Sequence, residues 1–179
     1  MDRRTSKTKT LIKEALLELL ENKELVKISI TDIAKKVDIN RSTFYLHYNS
    51  IDDVIFELED EVIDEIYLIC KEYNFEPVTM ALNIAYYVKS AANIIKPILN
   101  SVSAHFYSRL ANRVRPFIEA SFNASFPYNV EENKFILRFI FSGSFGAFKL
   151  WLDDDCKTNP RRIVLHFIKA FNEINNLNK

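Results

Sequence analysis

Glycine is nearly absent: the 179-residue chain holds two, alongside five prolines. A sheet protein of this length turns often, and its turns lean on Gly and Pro. The scarcity therefore argues against sheets and for long helices joined by short loops. Cysteine is just as rare. Cys70 and Cys156 are too few for a disulfide framework or a four-cysteine zinc site, and they fit a reducing, cytoplasmic setting. Net charge is absent too, with 24 Lys/Arg against 24 Asp/Glu, so no overall positive field draws the chain to nucleic acid. No run of about 20 apolar residues offers a membrane span. Residues 1–10 are charged and lack the apolar core of a signal peptide. The reading is a soluble protein with no membrane partner. Catalytic signatures are missing as well, since two glycines cannot build a Walker or dinucleotide loop. His47, His105 and His166 are scattered, with no His-x-x-x-His or Cys-x-x-Cys spacing. Asp153, Asp154 and Asp155 precede Cys156, and acidic neighbours do not activate a thiol. No catalytic residue, metal or cofactor is assigned.

What is present is apolar bulk and unevenly placed charge. At 48% hydrophobic residues the chain can bury a core. Residues 1–49 carry 10 Lys/Arg and 7 Asp/Glu, whereas residues 50–75 carry 1 and 9. The basic start thus adjoins an acidic segment that cannot face a polyanion. That segment reads as a solvated helix face.

The first fifty residues read as three helices. Leu11, Ile12, Ala15, Leu16, Leu19 and Leu20 fall at helical spacing over Thr10 to Leu20, with Lys13, Glu14 and Glu18 opposite. Ser29-Ile30-Thr31-Asp32 matches a capping box, and Ile33, Ala34 and Val37 form the inner side of the helix it starts. Asp38-Ile39-Asn40 is a tight connection. Asn40 suits the N-cap of a third helix, Arg41 to about His47, on which Phe44 and Tyr48 share the inner face. Two short helices across a three- or four-residue turn, braced by a longer first helix, make a helix-turn-helix.

The second helix of such a pair enters the DNA major groove, led by its N-terminal residues. The outward set suits that task. Arg41 offers a bidentate donor for guanine O6/N7 or phosphate. Ser42 and Thr43 can exchange hydrogen bonds with base edges, and Tyr45 and His47 can reach phosphates or bases. An ordinary polar helix face has the same pattern, so spacing alone leaves both readings open.

The stretch from Lys27 to Tyr48, KISITDIAKKVDINRSTFYLHY, closely resembles the DNA-binding domain of TetR/AcrR-type transcriptional regulators. Thr43-Phe44-Tyr45, then His47-Tyr48 and a polar turn into an acidic helix, is its most specific part. The resemblance is strong over residues 6–60 and weaker beyond. The Phe-Tyr-Leu-His-Tyr form and the short chain look like a Firmicutes-type subgroup with a short C-terminal region. That subgroup includes activator-like regulators of dihydroxyacetone kinase genes. The resemblance implies that Thr5 and Ser6, ahead of the first helix, touch phosphate. It implies that Asn40, Arg41, Ser42, Thr43, Tyr45 and His47 line the groove, and that Ser50 and the start of the fourth helix offer N–H groups to another phosphate. Two positions depart from the pattern. Asp38 stands where the turn usually has glycine, and Asp tolerates a left-handed conformation better than most residues. Ile51 stands where the fourth helix usually begins with lysine, which removes a phosphate anchor; Lys35, Lys36 or Arg4 could compensate.

The remaining chain reads as a helical bundle. Ile51 to about Tyr73 forms a long helix with Val54, Leu58, Val62, Ile66 and Ile69 inside and Glu57, Asp60, Glu61, Asp64 and Glu65 in water. Pro77 opens a fifth helix to about Ser90. Asn93 to Leu99 reads as a sixth, limited by Pro97, and Ser103 to about Phe122 as a seventh. Glu131 to Leu152 and Pro160 to about Asn175 complete a set of about nine. Both glycines, Gly143 and Gly146, sit inside the eighth, where each costs about 1 kcal/mol relative to Ala. With Ser142 and Ala147 they leave a shallow strip, extended by Phe135, Phe139 and Leu150. A second subunit, another helix of the same chain or a ligand could fill it. The subunit reading joins Phe139, Gly143, Gly146, Ala147 and Leu150 to Val164, Phe167 and Phe171 of the last helix in a four-helix dimer interface. The resemblance implies the same use of the last two helices.

It also implies a small-molecule pocket between helices four and eight. Asn83, Tyr86, Tyr87, His105, Phe106 and Arg109 are the candidates, among further aromatics that include Tyr67, Tyr107, Phe117 and Phe122. The sequence thus points to an all-α protein: a helix-turn-helix domain over residues 1–50 and an effector-binding and dimerisation bundle over 51–179. The expected function is a homodimeric, ligand-responsive repressor that binds double-stranded DNA at an inverted repeat. The alternatives are an activator or coregulator working through protein contacts, and a small-molecule-binding helical protein without a DNA role.

Overall fold

The computed structural model describes the backbone of residues 3–74, 76–125 and 130–176. It describes their side chains except at residues 3–4, 77, 102–104, 120–125, 130–133 and 171–176. Among the described residues every element is helical. The α-helices are α1 (Arg3–Leu20), α2 (Ile30–Val37), α3 (Arg41–Tyr45), α4 (Ile51–Glu72), α5 (Pro77–Ser90), α6 (Ala92–Ser125), α7 (Val130–Asp153) and α8 (Pro160–Asn176), with a 3₁₀ turn at Leu25–Lys27 between α1 and α2.

Two compact units divide the chain. The first contains Met1–Val62 and Asn93–Ser103, and the second Ile63–Ala92 and Ala104–Lys179. Helices α4 and α6 supply residues to both.

The first unit is built around Ile12, Leu16, Ile33, Phe44 and Val54, all fully buried. Its turns follow local chemistry. Asp32 N–H donates to Ser29 Oγ at 3.2 Å and Ser29 N–H to Asp32 Oδ2 at 2.9 Å, the reciprocal bonds of a capping box. Asp38 ends α2 in the left-handed region, at φ 55° and ψ 51°. The residue that replaces glycine therefore takes up the conformation glycine would have supplied.

In the second unit α5 packs along α8 and also meets α7. Its start is fixed by Glu76, whose carboxylate accepts from Val78 N–H at 3.2 Å and Thr79 N–H at 2.7 Å, with Pro77 at the first helical position. Phe148 of α7 meets Phe167 of α8 edge to face, with ring centroids 5.5 Å apart. The α7–α8 connection is held by Trp151 Nε1, which donates to Thr158 O at 2.9 Å.

Four expectations are corrected. The first helix begins at Arg3 rather than Thr10, because an established helix extends through polar residues at little cost. Residues 92–125 form one helix where two were expected. Pro97 loses only one bond near the start of α6, and Ser101 Oγ donates to Pro97 O at 2.8 Å. The acidic side of α4 is not wholly solvated, since Glu57 is half-buried against α1 and Glu59 is fully buried. Finally, residues 134–153 of α7 are long and apolar enough to cross a membrane by length and composition, at a mean hydropathy of 1.4. Charged residues at Arg138 and Lys149 interrupt the run in sequence, but its aromatics outweigh them.

Candidate nucleic-acid interface

The helix α3 is only five residues long, and packing rather than propensity holds it. Phe44 is fully buried and Tyr48 nearly so, their ring centroids 5.9 Å apart. With those rings turned inward, the opposite side of the helix faces outward. Arg41, Ser42 and Tyr45 are exposed, while Thr43 and His47 are half-buried. The Arg41 guanidinium reaches Tyr45 Oη at 3.4 Å, so the two side chains lie along one edge. Asn40 occupies the N-cap position in extended conformation, yet its side chain makes no capping bond. Its amide is left to other partners, contrary to the capping role read from the sequence.

The helix ends at Tyr45, two residues before its expected end. Bonds from His47 N–H and Tyr48 N–H to Phe44 O, at 2.9 and 3.0 Å, carry the chain on in a turn. That turn exposes Leu46 to 81%. Sequence reasoning passed over Leu46 as an apolar residue between polar neighbours. Its position one residue beyond Tyr45 puts it on the outward surface, where a thymine methyl or a sugar could meet it.

Thr5 and Ser6 lie inside α1, Thr5 half-buried and Ser6 exposed. Ser6 O accepts from Thr10 Oγ1 at 3.1 Å. At the start of α4, Asp53 N–H donates to Ser50 Oγ at 3.1 Å and Asn49 N–H to Asp53 Oδ2 at 2.9 Å. The bond from Asn49 N–H, helped by donors from the Asn49 side chain and from Ser50, holds the Asp53 carboxyl below the usual range. Asp52 and Asp53 thus already supply the negative charge that a helix N-terminus favours. The anchor missing at Ile51 is not replaced here. Lys36 is committed to Glu18 at 2.6 Å, and the Arg4 side chain lies outside the described residues.

Behind α3, three ion pairs join α1 to α4. Lys9 meets Glu57 at 2.5 Å, Lys13 meets Glu57 at 3.4 Å, and Lys13 also pairs with Glu61. Lys9 Nζ lies 4.8 Å from the centre of the Tyr48 ring. Burial raises the Glu57 pKa, but the two lysines outweigh it and hold the carboxyl below its ordinary value. The Tyr48 hydroxyl is pushed well above its usual range, first by burial and then by the Glu57 carboxylate. Lysines of α1 therefore pair with charges on α4 that sequence reading left in water, and Lys9 also lies over the Tyr48 ring just beyond α3.

The expected pocket residues differ in exposure. Phe106 is buried, His105 and Tyr86 are exposed, and Tyr87 and Arg109 are half-buried. Asn83 Nδ2 donates to Thr79 O at 2.8 Å within its own helix. Phe122 lies outside the described side chains. Tyr107 packs on Phe145 at 4.9 Å, and its hydroxyl shares a 2.8 Å bond with Ser142 Oγ.

The interface candidates divide more sharply. Phe135, Phe139 and Leu150 are 66–71% exposed, and a Cβ placed on Gly143 or Gly146 would meet nothing within 4 Å. The strip is therefore not filled by another described helix of the chain. Ala147 and Phe167 are half-buried. Val164 is only 2% exposed and belongs to the chain's own interior. The Phe171 side chain lies outside the described residues.

Comparison with known proteins decides the family. Residues 76–173, more than half of the chain, match TetR_C_8, the transcriptional regulator C-terminal region. The chain belongs to the TetR family of transcriptional regulators. Its fold is similar to that of a TetR transcriptional regulator from Streptococcus agalactiae 2603V, at a TM-score of 0.75 and 22% identity over 94% of this chain and 96% of that one. It is also similar to the dihydroxyacetone kinase operon activator DhaS, at 0.66 and 14% over 91% and 93%. No curated protein sequence matches the chain. The regulator is thus placed by a family match in its C-terminal half and by fold over nearly its whole length.

Proposed function

We propose that this TetR-family regulator is a cytoplasmic, non-enzymatic homodimer that represses transcription by binding an inverted-repeat operator. In this reading residues 1–50 read DNA, and residues 51–179 dimerise and respond to a small molecule. The observation that carries it is the division of α3 and its following turn. Phe44 and Tyr48 face inward, leaving Arg41, Ser42 and Tyr45 exposed on a surface that also presents Leu46. One such helix makes too few contacts for specific binding. Two of them, on half-sites about 34–36 Å apart, read a palindrome. The unfilled strip on α7, with Phe135, Phe139 and Leu150 around Gly143 and Gly146, offers the dimer contact.

Activation is the second reading. It is favoured by Ile51, Asp52 and Asp53 at the start of α4, which weaken the grip on phosphate and make help from a partner useful. The name of the similar protein DhaS, an operon activator, points the same way.

Fluorescence-anisotropy titration against the DNA upstream of its own gene tests the proposal. Sequence-selective binding that weakens steeply between about 50 and 200 mM salt is expected. Equal affinity for scrambled duplexes would falsify the operator reading. A reporter driven by that DNA gives the sign of regulation.

A further inference from the structure

Helices α5 and α8 enclose a groove of about 250 Å³. From α5 it takes Val78, Leu82 and Tyr86, at i, i+4 and i+8. From α8 it takes Leu165 and Ile168, with Val164 at its floor and Arg161 at one end. The walls are mostly hydrocarbon, and Tyr86 and Arg161 are the lining residues that carry a polar group. Val78, Tyr86 and Leu165 are each about half exposed. Single exposed apolar side chains are ordinary, but these three share one concavity. Arg161 is exposed in the first turn of α8, a turn without an acidic residue, and no described side chain forms a salt bridge with it. The helix's own partial positive charge adds to that of the guanidinium.

The groove is separate from the dimer contact proposed above. Leu165 lies two residues before Phe167 on α8, about 200° around the helix axis at 3.6 residues per turn. Phe167 meets Phe148 of α7, so Leu165 lies on the side of α8 opposite that contact.

We propose that this groove binds a small apolar monocarboxylate, with its carboxylate on Arg161 and its chain between Leu82, Tyr86, Leu165 and Ile168. The charge of the groove selects the anion, since its single ionic group is a fork of donors suited to a carboxylate. Its volume selects the size, because about 250 Å³ is the liquid volume of roughly eight waters. That accommodates a chain of about eight carbons. The site would serve as the effector site of the regulator, so that role rests on the proposal for function; binding itself does not.

Isothermal titration of the full-length protein with octanoate, octanol and octylamine tests it. Octanoate is expected to bind saturably, with octanol about tenfold weaker or more, as befits the loss of a charge-assisted pair. Octylamine is expected not to bind. Arg161→Gln should reduce octanoate to the level of octanol, while Arg161→Lys keeps part of the difference. Leu165→Trp, a change at an exposed wall that leaves the core intact, should fill the groove and abolish binding of both. Absence of saturable octanoate binding, equal binding of octylamine, or indifference to both Arg161→Gln and Leu165→Trp would each overturn the site. Operator affinity of these variants without octanoate is expected to match the parent protein. A loss of the ligand site thus reads separately from a loss of DNA binding.

Discussion

The turn around α3 and the exposed side of α7 are both surfaces that the other described helices leave largely open, yet they are opposites. In α3 the aromatics Phe44 and Tyr48 are hidden and the hydrogen-bonding groups of Arg41, Ser42 and Tyr45 are shown. In α7 the aromatics Phe135 and Phe139 are shown, and glycines leave the backbone bare between Phe139 and Leu150. A surface of donors costs little to keep in water and suits a polar, charged groove. A surface of rings beside bare backbone suits close apolar packing. The two exposed faces thus differ in the chemistry of what they can meet.

The comparison breaks first at α7. Gly143→Leu places a branched side chain where the chain itself leaves open space, so the fold should survive and the dimer should not. A loss of about 2–4 kcal/mol is expected, as for a central interface position, seen as a shift to monomer in sedimentation at micromolar protein. A variant that stays dimeric moves the interface off α7. At the other surface, Arg41→Ala and Tyr45→Ala should each weaken specific DNA binding by about 1–3 kcal/mol while thermal stability stays unchanged. If both variants bind the operator as the parent does, α3 is not the reading helix.

Smaller effects sharpen the account of how α3 is held. Asp38→Ala keeps the helices but forces a non-glycine, non-Asx residue into the left-handed region, at a cost of about 1 kcal/mol. Asp38→Gly should be neutral or stabilising. Urea unfolding midpoints distinguish the two. The smallest effect concerns the capping box. Bonds from Ser29, the backbone N–H first, hold the Asp32 carboxyl below its ordinary value. A carboxyl depressed in the folded state stabilises the fold above its unfolded pKa and loses that contribution as pH falls through the folded value. Thermal stability should therefore drop below about pH 4, and Asp32→Ala should flatten that part of the profile.

Much of the architecture was legible because its signals are local. The Ser29–Asp32 box, the Pro77 start and the apolar spacing of α4 each act within a few residues. The left-handed Asp38 was legible too, once the turn was recognised. Pro97 misled, because it was given the cost of ending a helix, whereas it falls early in α6 and removes a single bond there. The candidate site was read through its inward aromatics, which set the outward side of α3. Leu46 escaped because the end of α3, not its periodicity, exposes it.

The sequence by itself determined that the protein is helical, where most helices begin, and which side of α3 shows hydrogen-bonding groups. These follow from interactions spanning about one helical turn. Only the tertiary structure decided that Lys9 and Lys13 of α1 meet Glu57 and Glu61 of α4, that Val164 is interior, and that the strip on α7 is left open. Pairs 44 or more residues apart have no local energy to announce them. Which apolar stripe is covered depends on how the other helices pack around it.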